Sequence, residues 1–485
     1  MLHASLQPCV ITMNVMRQIA CAICVALLVT SAVQAAQLPP AVARALERVD
    51  IPARDVSIYV RDANSNEIVV DQLIDTPRSP ASTIKVLTTF AALDMLGPAF
   101  TWKTRAYATG PIANGVLHGD LYLVGGGDPY MTSERWWSFV QGLRETGLAK
   151  IDGDVVIDDS YFAPVLESRA DFDAQPFRSY NVLPDALMVN FQTARITISN
   201  NPQRPHPLIT ASPLPSNLRL RNEVRQTTGK CTGGSELQFF EPPDNPNTLV
   251  VGGEFPLACG SFTLSRAIMN ATDFAYGTFR TLWTQSGGAI VGAKRNGKTP
   301  SSAVMLYEHP SLSLAEVIRL VNKYSNNVMA RHLLLTIAAE RMGTPATTEG
   351  GRSALRAWLT AHNIDMTGFV LDNGSGLSRA ERVTARGIGE MLDIAWHSPF
   401  MPEFAASLPL SATDGTLRTR FSAPGMQGRI RLKTGHLADV SALAGFVNAA
   451  SGKTFVVVIF INHAGAHTGI GELVHAELVR WIFRQ

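Results

Sequence analysis

Ser82 and Lys85, in the stretch PASTIKV, stand three residues apart at the start of a segment that reads as helical from Ala81 to a terminating Gly97. On a helix that spacing puts both side chains on one face, within reach of each other. Near a helix N-terminus the free amides and the dipole favour negative charge, so an attacking serine alkoxide and the oxyanion it creates would both be stabilised there. A lysine held beside another cation and away from water gives up its proton more readily and can serve as a neutral base. The chemistry on offer is acyl transfer through a serine ester. An ordinary serine near a helix start is the other reading of the pair alone. Two further triplets bear on the choice: Ser325-Asn326-Asn327 in a later helical region, and Lys433-Thr434-Gly435 at the end of a strand-like run.

Other candidate motifs carry less. Gly292 to Thr299, GAKRNGKT, fits the G-x-x-x-x-G-K-[ST] pattern of a phosphate-cradling loop. That pattern needs a helix beginning at the Lys-Thr, and here Pro300 and a short apolar run follow instead, so a polar turn or hairpin at Asn296-Gly297 is expected and nucleotide is not. His463 and His467 have metal-like spacing, but the glycines between and around them make a solvated loop the expectation and no metal site is assigned. Gly125 to Gly127 closes an alternating strand as a tight turn would. There is no G-x-S-x-G elbow and no H-E-x-x-H helix.

Residues 1–35 read as a secretory leader, with Arg17 before an apolar run from Ile19 to Val29, and Val33 and Ala35 at the positions that precede a cut after Ala35. A membrane anchor is the competing reading; so short a run, followed by AQLPP, favours removal, and the periplasm is the expected location. The 485 residues are 46% hydrophobic and 17% charged with a formal net charge of +2, which argues against nucleic acid as a partner. Of five cysteines, Cys9, Cys21 and Cys24 leave with the leader. Two remaining thiols in an exported chain, Cys231 and Cys259, suggest one disulfide, with metal binding as the alternative.

The elements that must position the motifs are unevenly distributed. Helical and sheet-like segments at both ends flank a middle, from about Thr101 to Lys298, that is written in short strands and turns. S-x-x-K, S-x-N and K-T-G in this order are the signature of the active-site serine penicillin-binding and β-lactamase superfamily. With PASTIKV, GDLYLVGGGDP, EHPSLSL, DNGSGLSR and KTGHLADVSALAGFV, nearly the whole mature chain resembles the low-molecular-mass class C penicillin-binding proteins, the D-alanyl-D-alanine carboxypeptidase/endopeptidase family.

That resemblance implies a mixed α/β fold, with an antiparallel sheet between helices interrupted by inserted β-rich domains. Residues 37–100 and 301–485 would form the catalytic domain, and residues 101–300 the insertion, in two subdomains. Ser82 would attack the carbonyl between two D-alanines, Lys85 would take its proton, Ser325 would relay a proton to the leaving amine, and Asn327 would hold Lys85 and the substrate amide. Lys433 would keep the pocket positive, Thr434 would bind the terminal carboxylate, and Gly435 would let the strand pass close to substrate. Where the family usually has Ser or Thr after K-T-G, this chain has His436. Its backbone amide would join that of Ser82 as the oxyanion hole, and its imidazole would face the carboxylate, as a cation if protonated. The implied partners are peptidoglycan peptides and, as inhibitors, β-lactam antibiotics. No cofactor is implied, and peripheral association with cell wall or membrane is compatible. Arg429, Arg431 and Lys433 alternate onto one strand face, as a basic rim or as stems covering apolar surface.

Overall fold

The structure is a computed structural model that describes Met1 and residues 38–65, 67–231 and 233–485. The expected leader lies, Met1 apart, outside the described residues. The chain opens with α1 (Pro40–Arg48), β1 (Val56–Asp62) and β2 (Ile68–Gln72), then a 3-10 turn over Ala81–Ile84 leading directly into α2 (Lys85–Leu96). It leaves through β3 (Thr101–Ala108) and returns through β4 (Val304–Ser313) to α3 (Leu314–Tyr324) and α4 (Asn327–Met342). After α5 (Ala385–His397) come β5 (Ile430–Leu437), β6 (Val440–Asn448), β7 (Thr454–Asn462) and the closing helix α6 (Ile470–Phe483).

One five-stranded antiparallel sheet, in the order β5-β6-β7-β1-β2, joins the two ends of the sequence. Its middle strands read as continuous apolar runs, SALAGFV and TFVVVIFI, and every residue but the last of each is buried. A strand hydrophobic on both faces must be covered on both. Val456, Val458 and Phe460 pack toward α2, α3 and α4, while Val457, Ile459 and Ile461 pack toward α1 and α6. α2 runs through the first of these cores, with every residue from Lys85 to Leu93 buried. The helix that follows the nucleophile is thus enclosed over its first nine residues. This is the mixed α/β architecture that the resemblance implied.

The middle region contributes four more sheets around one contiguous hydrophobic cluster. It is less purely β than its text suggests. Ser133–Glu145, capped by the Thr132 side chain, and Ala271–Gln285, capped by Asn270, are α-helices. Their aromatic residues suit a strand as well as a helix. Trp136 stacks on Phe139 at 4.9 Å and Phe279 on Trp283 at 5.5 Å, filling the space between the sheets.

β4 corrects where the chain crosses back. The expected division at residue 301 assigns Val304–Ser313 to the catalytic part, yet this strand pairs with β3 along its length in a sheet otherwise built from the middle region. The two crossings lie side by side, with Leu314 N donating to Phe100 O at 2.8 Å and Ala315 N to Pro98 O at 3.1 Å. In the GAKRNGKT stretch, Lys294–Asn296 form an edge strand parallel to Val155–Asp158, so no hairpin forms at Asn296-Gly297, and no helix follows Thr299. The amides of Ala293 and Thr299 already donate to Asp154 and Asp158, at 2.8 and 2.6 Å. Carboxylates occupy donors that a phosphate would need.

Cys231 and Cys259 form the expected disulfide, tying the loop after the strand Arg219–Thr227 to the turn that ends Thr248–Pro256. Their separation of 28 residues corresponds, by loop entropy, to about 3–4 kcal/mol. Cys231→Ser is therefore expected to lower the unfolding free energy of the middle region by about that amount in denaturant titrations, while acylation by a labelled penicillin proceeds at nearly the wild-type rate.

Candidate active site

The three sequence triplets converge. Lys85, fully buried, points its ammonium at Ser82 Oγ at 2.9 Å and at Asn327 Oδ1 at 2.8 Å, and also donates to the carbonyl of Ser375. Lys433, equally buried on β5, donates to Ser325 Oγ and to its neighbour's carbonyl, Thr434 O, both at 2.8 Å. Nearly all the oxygens around the two ammonium groups are uncharged.

Local structure explains how each side chain arrives. Ala81, just before the nucleophile, sits at φ 46°, a left-handed conformation that L side chains adopt at some cost. The turn it begins leaves Ser82 half-buried at the mouth of α2, where first-turn amides lack helical partners. The long helical run expected around Ser325 is in fact two helices. Ser325, at φ 58°, caps the C-terminus of α3, and Asn326 accepts from Met329 N at 3.1 Å as the N-cap of α4. That break turns Ser325 and Asn327 together toward the lysines. It also gives the middle residue of the triplet a purely local task, which Asp or Asn performs equally well.

β5 is an edge strand, and its parity is fixed by neighbours: Leu432 N donates outward to Pro409 O, and Ile430 O accepts outward from Ser411 N. In an antiparallel pair outward-facing positions alternate, so the amide of His436 also faces away from β6, toward the site. Gly435 has a packing reason of its own. A Cβ there would lie 2.6 Å from Pro80 O, so the glycine admits the turn that bears Ser82.

Burial drives the lysines' proton affinities. Desolvation lowers Lys85 from its usual value to about 7, with the carboxyl of Glu381 opposing the shift, and pushes Lys433 well down, helped by repulsion from Lys85. Repulsion between two close ammonium groups is mutual, so each favours the neutral form of the other. His436 is exposed, with its ring edge-on to His467 at 5.9 Å between centroids. Desolvation and His467 lower its proton affinity, which disfavours the cationic form of the imidazole. Of the three residues expected on one strand face, Lys433 is sealed inside, Arg431 lines a hollow with Phe446 and Trp396, and Arg429 is exposed and donates to Ala449 O at 3.1 Å. His463 binds Asp55 at 2.8 Å and His467 accepts from Asp439 N at 2.9 Å; among the described residues no group of side chains is arranged to hold a metal.

Sequence reasoning missed four contributors. Ser375 supplies a carbonyl to Lys85 from DNGSGLSR, where Gly374 O also accepts from Thr88 at 2.8 Å. Glu381 is a buried carboxyl near Lys85. Tyr180, from the middle region, accepts from Asn327 Nδ2 at 3.3 Å through its backbone. Thr416 accepts from Thr434 Oγ1 at 2.9 Å. Only DNGSGLSR left a signal, as part of the family resemblance; Tyr180 acts through its backbone, Thr416 through a lone hydroxyl, and Glu381 through a carboxyl outside any motif. A hollow of about 1000 Å³ between β3 and Tyr161–Pro164 contains none of the three motifs.

With this geometry in view, comparison with known proteins is decisive. Residues 38–482 match the D-Ala-D-Ala carboxypeptidase 3 (S13) family. The chain belongs to that family. It is 28% identical over 430 residues to the D-alanyl-D-alanine carboxypeptidase of Actinomadura sp. (strain R39), covering 84% of this chain and 78% of that one. Against the D-alanyl-D-alanine carboxypeptidase DacB of Haemophilus influenzae it is 26% identical over 419 residues, covering 86% of each. The crystal structure of penicillin binding protein 4 (dacB) from the same organism superposes with a TM-score of 0.78 at 24% identity, over 92% of this chain and 99% of that one. The protein is accordingly a serine-type D-Ala-D-Ala carboxypeptidase on a penicillin-binding-protein fold.

Gly376 offers a direct test of how the nucleophile is held. At φ +81° it lies so close to the turn that a Cβ would stand 2.0 Å from Ala81 O and 2.8 Å from Ser82 N. Gly376→Ala is expected to displace the Ser82 turn and slow acylation by about a hundredfold or more, since small misplacements of a reacting group have costs of that order. Stopped-flow measurement of penicillin labelling reads the loss.

Proposed function

We propose that catalysis runs through an ester on Ser82, with Lys85 as its base. The observation that carries this is the pairing of a fully buried Lys85, near neutrality, with Ser82 Oγ at 2.9 Å. Lys85 Nζ accepts the hydroxyl proton as Oγ attacks the carbonyl carbon of the penultimate D-alanine. The oxyanion is held by the amides of Ser82 and His436. Collapse breaks the C–N bond, and the departing amine takes a proton from Ser325 Oγ, which is resupplied by Lys433 at 2.8 Å. Water then attacks the ester, giving up its proton through Ser325 to the now neutral Lys433, and Lys85 returns the proton to Ser82 as its Oγ leaves. Asn327 holds Lys85, and Thr434 stands where the substrate's terminal carboxylate would be bound.

The same ester forms with a β-lactam, whose ring has no departing fragment to make room for water, so the adduct persists. Haemophilus influenzae penicillin binding protein 4 has been solved in complex with a β-lactam, which supports this reading. The substrates would be the D-Ala-D-Ala ends and cross-links of peptidoglycan, met in the periplasm after removal of a leader. Among the described residues no helix is long and apolar enough to cross a membrane. Residues 101 to about 313 would form the inserted part.

Labelling with a fluorescent penicillin tests the assignment. Wild type is expected to form a long-lived adduct recovered on the peptide containing Ser82, and Ser82→Ala to form none; rapid turnover of the penicillin would make the protein a β-lactamase, and labelling of Ser82→Ala would refute the nucleophile. The pH dependence follows from the lysine. Because its proton affinity is lowered to about 7, the neutral, reactive form is lost as pH falls through that value. The acylation rate should rise about tenfold per pH unit below 7 and level off above it. Lys85→Arg, which cannot lose its charge, should abolish the reaction at every pH.

A further inference from the structure

We propose that Thr416 is a specificity-determining residue that binds the substrate's terminal carboxylate jointly with Thr434, supplying the second hydroxyl that position 436 lacks. This rests on the functional reading above and extends it to a residue outside the three motifs.

Thr434 and Thr416 come from separate elements, β5 and the short turn Gly415–Leu417, and their hydroxyl oxygens are 2.9 Å apart. Thr434 donates and Thr416 accepts, so the Thr416 proton is not consumed by that bond. Two hydroxyls side by side at this distance can face the two oxygens of one carboxylate: Thr434 rotates its proton from Thr416 to one oxygen as the carboxylate enters, and Thr416 donates to the other. Both residues are partly exposed, at the point where β5 is open. His436 does not compete for this place, since its ring lies against His467.

The turn is held in position independently of Thr416. Asp414 receives Lys323 Nζ on both oxygens, at 2.9 and 2.7 Å, and Leu410 N at 2.9 Å. Gly415, at φ 56°, lies so near Lys323 O that a Cβ would stand 2.6 Å from it. Two consequences follow. The turn is fixed to the end of α3, one residue before Tyr324 and two before Ser325, so the carboxylate anchor and the proton relay share a support. And the Asp414 charge, two residues from Thr416, is neutralised by Lys323, so that it does not repel an incoming carboxylate.

The test compares two peptides, one ending in D-Ala-D-Ala with a free carboxylate and one with the same end amidated, on wild type, Thr416→Val, Thr416→Ser, His436→Thr and the double variant Thr416→Val/His436→Thr. Thr416→Val is expected to reduce the kcat/KM preference for the carboxylate over the amide about tenfold to a hundredfold, as loss of a donor to a charged group does, mostly through KM. Thr416→Ser should retain the preference, and His436→Thr should restore it in the Thr416→Val background. An unchanged preference in Thr416→Val, or equal losses on both peptides in Thr416→Val and Thr416→Ser alike, would overturn the proposal. If wild type cleaved neither peptide, releasing no D-alanine from the first and no D-alaninamide from the second, the functional reading itself would fall, and this inference with it.

Discussion

Two lysine side chains with no exposed surface, Lys85 and Lys433, set the terms for the rest of the structure. Withdrawing an ammonium group from water costs several kcal/mol unless it is paired or gives up its proton. Carboxylate partners would satisfy both lysines and make both inert. The chain instead surrounds them with hydroxyls, an amide oxygen and backbone carbonyls, which solvate a cation without pinning its proton. Such weak partners must come from many directions. The oxygens therefore arrive from the turn before α2, the junction of α3 and α4, the 372–381 stretch and β5, elements spread across more than 350 positions of sequence, with Lys85 to Ser375 alone spanning 290. The five-stranded sheet and its two helical layers exist in this arrangement because those separate pieces have to meet around buried amines.

The middle region is attached to that assembly by β3 and β4, whose ends are hydrogen-bonded to one another, so the excursion leaves the catalytic helices undisturbed. Its contact with the site is light but specific: the carbonyl of Tyr180 takes the Asn327 amide proton that Lys85 does not engage. Arg331, on the same helix and buried, meets Glu167 of that region at 2.8 Å. One side of α4 thus faces the amines, and another is buttressed by a part of the chain that carries none of the three motifs.

How much of this could be read beforehand depends on what kind of atom does the work. Side chains that do chemistry are visible as letters, so Ser82, Lys85, Ser325, Asn327 and Lys433 could be placed together from type and order alone. Backbone carbonyls have no letter, so Tyr180 was invisible, and Ser375 was marked only by the family resemblance of the stretch around it, not by its role. The break at Ser325 was hidden because Tyr324-Ser325-Asn326 interrupts a helical period by conformation rather than by proline or glycine. The helices Ser133–Glu145 and Ala271–Gln285 were concealed by dense aromatic residues, which suit a strand as well as a helix until their packing partners are known. β4 looked like the start of the catalytic part because its end carries the EHPSLSL match, while its pairing with β3 depends on a strand two hundred residues earlier. The leader's text had no counterpart among the described residues.

The edge of the main sheet has one more implication. An unpaired strand edge invites any extended chain to add itself, and most proteins cover or charge such edges. Here Pro409 and Ser411 hydrogen-bond β5 as far as Leu432, and the cover stops where Lys433 begins. What is left bare is about as long as the peptide end the enzyme would have to receive. The opening can then act as a ruler: a partner has room to pair over a few residues, with a buried amine below it, and a longer strand would run into the segment that already occupies the edge. Access for a short chain terminus and protection from sheet-to-sheet aggregation would be secured by the same stretch of backbone.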